Sequence, residues 1–240
     1  VSNRLATASD SWYQAILDRA LSAHMNTLCI WGGGIYENPV FYDYCDEHGI
    51  LVWQYFMFAC GEYPGYDPEY VENVREEVLW AVKTLASHAC MALWIGNVEV
   101  PMICQKIKLD REMYGKEMFA EKIPEWLHSI DPTAEYIESS PIGTGFYNSM
   151  DEGDRHNWDV WFSDLPYEEY TKDTGKFLSE FGIHAAPEKQ TIVKYTGDGS
   201  ITPESFRFRY FNKDADPDRL NYYFNLYTGM PGSMDEYIDY

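Results

Sequence analysis

The chain has 240 residues, enough for one large domain or two small ones. Hydrophobic residues make up 45% and charged residues 24%, which supports a sizeable core. A net charge of −21 argues against nucleic acid, whose phosphates need cations, and against an anionic membrane surface; it favours a neutral substrate over an acidic one. Aromatic content is high at 17%, with 20 Tyr and 8 Trp. Such rings suit a core or an amphipathic surface, and some can stack on the C–H faces of sugars.

Asp10 to Ala23 predicts a helix capped by Asp10 or Ser11. Asn26 to Trp31 predicts a strand, ended by Gly32-Gly33-Gly34. Asn38 to His48 predicts a helix stopped by Gly49, with Asp43, Asp46 and Glu47 on its solvated face. Ile50 to Phe58, rich in Val, Trp, Tyr and Phe, predicts the next strand. Pro68 to His88 carries Val71, Val74, Val78, Leu79, Val82 and Leu85 near helical spacing. Cys90 to Ile95 is again strand-like.

Beyond this point Gly115 to Ser129 reads as helix and Ala134 to Ser139 as strand. Pro141 to Asn157 is rich in Gly, Asp, Ser and Asn and predicts a long loop. Asn157 to Phe162 predicts a short strand, Tyr167 to Asp173 a short helix and Lys176 to Phe181 a strand. Turn clusters at Gly197 to Pro203 and Asp214 to Pro217 precede a helix at Arg219 to Thr228. Strands alternating with helices point to a parallel α/β architecture, with an open doubly wound sheet as the competitor to a barrel. The glycine run is not a GxGxxG fingerprint, and no GxxxxGK[ST] loop occurs, so no nucleotide cofactor is implied.

The cysteines are Cys29, Cys45, Cys60, Cys90 and Cys104, an odd set without a CxxC pair or a Cys/His cluster of zinc spacing. No metal site is expected. Cys29, Cys60 and Cys90 fall in apolar strand-like runs, as buried thiols do. The pattern favours a reducing, cytoplasmic setting or simply no disulfide framework. No signal peptide is visible and no apolar run reaches membrane-spanning length. The chain starts at Val1 rather than Met and without a strand, so an excised piece of a longer protein is expected.

Two glutamates carry the chemistry. Glu99 closes the apolar run Met91 to Val98, and Glu180 closes Lys176-Phe177-Leu178-Ser179. A carboxylate at the C-terminal end of a buried strand is where a β/α barrel places its active site. Two such carboxylates facing one bond are what glycoside hydrolysis needs.

Five strings stand out in order: Trp31 to Glu37 (WGGGIYE), Gly49 to Cys60 (GILVWQYFMFAC), Leu93 to Glu99 (LWIGNVE), Gly153 to Trp161 (GDRHNWDVW) and Phe177 to Gly182 (FLSEFG). Together they resemble β-mannosidases of glycoside hydrolase family 2, from about Met25 to Tyr240. The resemblance implies a catalytic (β/α)8 barrel, incomplete here, with the strands in register with the family's second to seventh. Residues 1–240 would then form one partial barrel domain. The N-terminal β-sandwich domains, the first strand and the last would belong to the remainder of the parent chain, which is needed to close the barrel. Alone, the piece would leave two unpaired sheet edges and be unstable or inactive.

The resemblance further implies that Glu99 is the acid/base and Glu180 the nucleophile of a retaining mechanism, and that the partner is a β-mannoside oligosaccharide or glycoconjugate. Glu99 must then be protonated at rest, which a neighbouring carboxylate favours. Trp31 is a candidate to pack a sugar ring, and Gln54 and Asn97 to hydrogen-bond at the same rim. His156, Trp158 and Trp161 resemble the family's own His/Trp cluster, although a strand tryptophan is more often core, which ranks Trp158 and Trp161 below Trp31.

The chain departs from the family at two positions. Val98 stands where relatives carry the Asn that bonds the sugar 2-hydroxyl, and Tyr55 stands where an acidic residue is common. The leading expectation is an exo-acting retaining β-mannosidase. The alternatives are a β-galactosidase-like or exo-glucosaminidase-like family member, or a catalytically weakened carbohydrate-binding homologue.

Overall fold

The computed structural model describes residues 7–211 and 218–240. The expected turn cluster at Asp214 to Pro217 lies outside the described residues. Helix α1 runs Asp10–Ser22, and its cap is Ser9, whose hydroxyl accepts from the Trp12 N–H. Tyr13, Leu17 and Ala20 fall on one face and are buried. Strand β1 (Thr27–Ile30) leads to α2 (Pro39–His48). That helix stops at Gly49, whose φ of 70° is a left-handed backbone that glycine takes without strain. Strand β2 (Leu51–Tyr55) and helix α3 (Pro68–Leu85) follow. Asp67 caps α3 by accepting the Glu69 N–H at 2.9 Å, and Val74, Val78, Ala81, Val82 and Leu85 form its buried stripe.

Strand β3 (Met91–Ile95) is followed at once by α4 (Val100–Lys106), a helix that the sequence pattern does not announce. The helix expected over Gly115 to Ser129 is a π-helical turn, Met118–Lys122, running into α5 (Ile123–His128). Strand β4 is only Tyr136–Ile137.

Strand β5 occupies Asp154–Asn157, inside the expected loop, and Asp159–Phe162 is helix α6 rather than a strand. The reason is local: Trp158 and Asp159 carbonyls accept the Phe162 and Ser163 N–H groups at helical spacing. A 3₁₀ segment, Tyr167–Lys172, precedes β6 (Phe177–Phe181). Helices α7 (Lys189–Thr196), α8 (Phe206–Phe211), α9 (Leu220–Tyr223, extended by a π turn over Phe224–Thr228) and α10 (Met234–Asp239) complete the described residues.

Strands β1 to β4 form one parallel sheet in chain order. Ile30 pairs with Gln54, Tyr55 with Ile95 and Ile95 with Ile137, so all four C-terminal ends lie along one edge. Its two faces carry separate apolar clusters. Ile30, Val52 and Trp94 pack with Leu17, Phe41, Tyr42, Val74 and Val78 against the helices. Trp53, Tyr55, Leu93, Ile95 and Ile137 pack with Val98 on the opposite face.

The chain divides into two compact units. The first runs to Arg155 and takes in Gly175–Ser179; the second comprises His156–Thr174 and the chain from Glu180 onward. Strands β5 and β6 pair as a two-stranded sheet, and the division falls within both. In the second unit Val160, Trp161 and Tyr223 form one core, and Ile192, Ile201, Phe208 and Met234 another.

Asp46 is not part of a merely solvated face. Its carboxylate bonds His88 Nδ1 and accepts the Cys90 N–H, both at 2.7 Å, tying α2 to the start of β3. Burial pushes its pKa up, but the hydrogen bonds from His88 and Cys90 outweigh it and hold the carboxyl below its ordinary value. A depressed carboxylate stabilises the fold above its unfolded pKa, about 4, and loses that contribution as pH falls through the folded value. The stability gap between wild type and Asp46→Asn should therefore close as denaturant melts are repeated from pH 7 down to pH 3. Of the cysteines expected to be buried, Cys90 is, whereas Cys29 and Cys60 are exposed; Cys45 and Cys104 are buried as well.

Candidate active site

Trp31, Gln54, Asn97 and Glu99 all belong to the first unit. Trp31 leaves the end of β1 and is 41% exposed, which makes its ring available to a ligand. The glycines beside it answer to crowding. A Cβ on Gly33 would stand 2.2 Å from the Trp31 indole, and one on Gly32 2.4 Å from the Phe58 carbonyl oxygen. The triple glycine thus lets the indole and a neighbouring loop close onto the turn.

Gln54 corrects the expectation of a rim group. Side chains alternate along a strand, so Trp53 and Tyr55 face the cluster shared with Val98 while Gln54 faces the helices. It is fully buried; its Oε1 accepts the Tyr42 hydroxyl at 2.7 Å and its Nε2 donates to the Tyr55 carbonyl at 2.8 Å. Both halves of the amide are engaged inside the protein.

Asn97 is likewise fully buried and acts as a staple. Its Nδ2 donates to the Glu138 carbonyl at 2.7 Å, and its Oδ1 accepts from Val100 N–H at 3.1 Å and Ser139 Oγ at 3.0 Å. One side chain thereby joins the ends of β3 and β4 to the start of α4, so it is no candidate to replace the family's sugar-binding Asn. Asn97→Ala strands three buried polar groups. At the low end of the usual penalty, about 1 kcal/mol for each orphan, it should cost about 3 kcal/mol and appear as a lowered melting midpoint.

Glu99 takes φ 62° and ψ 1°, a left-handed conformation that costs a non-glycine residue about 1–3 kcal/mol. Its neighbours hold it there. The Glu99 N–H donates to the Ser140 carbonyl at 2.9 Å, Val98 N–H to the Phe58 carbonyl at 3.0 Å, and Cys60 N–H to the Val98 carbonyl at 2.9 Å. The turn is therefore clamped from the β2 side and the β4 side. Pro101 at the first turn of α4 supplies a φ already suited to the helix. The exposed Cys60 thiol lies 3.8 Å from Glu99 Oε2, a contact that sequence reading did not find.

His156, Trp158, Trp161 and Glu180 belong to the second unit. Glu180 lies on β6 with about a quarter of its side chain exposed. His156, on β5, is fully buried at the side chain with Nδ1 3.5 Å from Glu180 Oε2. The Trp158 indole N–H donates to the same oxygen at 3.1 Å. Two ring nitrogens thus converge on one carboxylate oxygen and fix the orientation of the group. Trp158 is here a hydrogen-bond donor to the carboxylate.

Downstream, the Tyr170 hydroxyl donates to the Gly182 carbonyl at 3.0 Å and accepts the Gly182 N–H at 3.1 Å. Gly182 has φ 138°, so this clamp sits where a side chain would be strained. Burial pushes the Tyr170 phenol up, and it stays a protonated donor at neutral pH.

Trp161 departs from the expected cluster. It is buried in a core with Val160 and Tyr223, stacks on Tyr223 at 5.8 Å between ring centroids, and its carbonyl accepts from Arg219. It supports α6 rather than a ligand.

No protein-family model matches the chain. It is 33% identical over 227 residues to β-mannosidase B of Neosartorya fischeri, covering 88% of this chain and 27% of that protein. It is 30% identical over 255 residues to β-mannosidase B of Aspergillus terreus, covering 98% of this chain and 30% of that protein. The crystal structure of the β-D-mannosidase from Dictyoglomus thermophilum superposes with a TM-score of 0.89 at 37% identity, over 97% of this chain and 29% of that one. A family 2 β-galacturonidase from Eisenbergiella tayi, with a TM-score of 0.54 and 18% identity over 86% of this chain and 38% of that one, shares the fold alone. The chain thus spans less than a third of the length of the β-mannosidases it matches.

Proposed function

We propose, on the premise that the chain belongs to the β-mannosidases of glycoside hydrolase family 2, that it supplies the catalytic carboxylates of a retaining exo-β-mannosidase. The six strands are then the second to the seventh of a β/α barrel, in one partial domain over residues 1–240 that the remainder of the parent chain closes. The substrate is a β-mannoside with a terminal non-reducing mannose, a neutral sugar suited to a chain of net charge −21.

The observation that carries the reading is the Glu180 carboxylate held by Trp158 and His156 on β6, in a chain that also presents Glu99 in a clamped turn after β3. In the first step Glu180 attacks the anomeric carbon while Glu99 gives its proton to the leaving oxygen as the glycosidic bond breaks. In the second, Glu99 takes a proton from water, the water oxygen attacks the anomeric carbon and Glu180 departs. Two inversions give retention, and the pair of carboxyls must stand about 5–5.5 Å apart.

One observation favours a weaker enzyme as the second reading. Tyr55 and Val98 are both buried and share one apolar cluster with Ile95. At the two positions where it departs from the family's pattern, this chain packs hydrocarbon and a phenol. The test uses the full-length parent with a panel of aryl β-glycosides. Hydrolysis of the mannoside with the β-anomer as first product, and labelling of Glu180 by 2-deoxy-2-fluoro-β-mannosyl fluoride, support the proposal. Preference for a galactoside or glucosaminide redirects it within the family. Inertness toward every glycoside, with mannose still bound in calorimetry, replaces it with a sugar-binding homologue.

A further inference from the structure

One buried carboxylate gathers the chain segments that carry the two glutamates. Asp154 opens β5 and is almost fully buried. Its Oδ2 accepts from Ser140 Oγ and from Ser179 Oγ, the latter at 2.6 Å, and its Oδ1 accepts the Ile142 N–H at 3.0 Å. The two serine oxygens are 3.4 Å apart. Both hydroxyls donate to this one oxygen, which restrains the two serines together. Gly153 makes the approach possible: it has φ 76°, and a Cβ there would lie 1.7 Å from the Ile142 carbonyl oxygen.

Each arm of this cluster ends next to the chemistry. Ser140 follows β4, and its carbonyl holds the Glu99 N–H at 2.9 Å. Ser179 is the residue before Glu180 on β6. Asp154 itself precedes His156 by two positions on β5.

We infer that Asp154 is a positioning residue which, through Ser140 and Ser179, fixes the backbone from which Glu99 and Glu180 project. The inference rests on the acid/base and nucleophile roles proposed above. A misplacement of about 1 Å at a reacting group costs about a hundredfold in rate, so loss of one arm should be visible in kcat. The arms should also be separable. With a 2,4-dinitrophenyl leaving group, departure needs little protonation and the first step depends on Glu180; with β-mannobiose it depends on Glu99 as well.

The test compares Ser179→Ala, Ser179→Thr and Ser140→Ala in the full-length parent on both substrates, with thermal melts alongside. Ser179→Ala should lower kcat on the dinitrophenyl mannoside about tenfold or more with KM changed less than about threefold, and Ser179→Thr should restore it. Ser140→Ala should slow β-mannobiose about tenfold more than the dinitrophenyl substrate. If Ser179→Ala does not fold, the Ser140→Ala leaving-group ratio decides alone. Variants whose kcat stays within about twofold of wild type, or a Ser140→Ala loss that is equal on the two substrates, overturn the inference while leaving the functional reading intact. A wild-type protein that neither turns over mannosides nor labels at Glu180 overturns both.

Discussion

Alanine at position 180 should abolish turnover of an aryl β-mannoside by the full-length parent, lowering kcat by roughly 10⁴-fold or more, the scale seen when a nucleophile is removed from a covalent mechanism. The reason lies in what the carboxylate does. It is the only group in the proposal that bonds to the anomeric carbon, so its loss removes the first step rather than slowing it. Azide added to this variant gives the stereochemical check. Attack by azide in place of Glu180 is a single displacement, so the product should be the α-mannosyl azide. A β-azide, or activity within tenfold of wild type, would remove Glu180 from the nucleophile role. The fold itself should survive, since Glu180 is partly exposed and the backbone on either side is held by Ser179 and by the Tyr170 to Gly182 clamp.

Much of the first unit is legible in the sequence because period and punctuation agree there. Leu17 and Tyr13 on α1, the valines of α3 and the Gly49 stop of α2 each carry a local signal that tertiary packing reinforces. The second unit is less legible for a physical reason. Strand β5 is Asp154-Arg155-His156-Asn157, polar throughout and buried throughout, so it has no apolar period to read. Its burial is compensated by hydrogen bonds to residues distant in sequence, such as Ser179, Asp173 and Asn148. Trp158 and Trp161, within the segment expected as a strand, pack around a short helix instead.

The candidate site divides in the same way. Strand ends pointed to Glu99 and Glu180, because a carboxylate after an apolar run is unusual enough to notice. Gln54 and Asn97 have the hydrogen-bonding groups that a rim would use, yet each side chain turns inward. For Gln54 the alternation of the strand decides it; for Asn97 the N-terminus of α4, with orphan N–H groups to satisfy, does. The contacts of Trp158 with Glu180 and of Asp154 with two serines join segments 14 to 25 residues apart, and no spacing rule anticipates them.

Glu99→Ala should divide substrates by their leaving groups. A 2,4-dinitrophenolate leaves without help, so the first step should survive and deglycosylation become limiting; the glycosyl-enzyme then accumulates and KM falls with kcat. β-Mannobiose, whose leaving alkoxide needs a proton, should lose about 10²–10⁴-fold, the usual contribution of a positioned general acid. Azide should again discriminate, and with the opposite outcome to position 180. Here the glycosyl-enzyme has already formed with one inversion, and azide needs no base to attack it, so the product should be the β-mannosyl azide with rate restored on the activated substrate. An equal loss on both substrates without azide rescue would mean that Glu99 serves the fold and not the proton transfer. That outcome has a physical route: the left-handed backbone at Glu99 is held by its N–H bond to the Ser140 carbonyl and flanked by those of Val98 with Phe58 and Cys60, and a disturbed turn would move α4 as well. Glu99→Gln, nearly the same size, separates the cases. It keeps the packing of the turn but cannot give up its amide proton, so a fold role predicts near wild-type activity and an acid role predicts the same split between leaving groups as alanine.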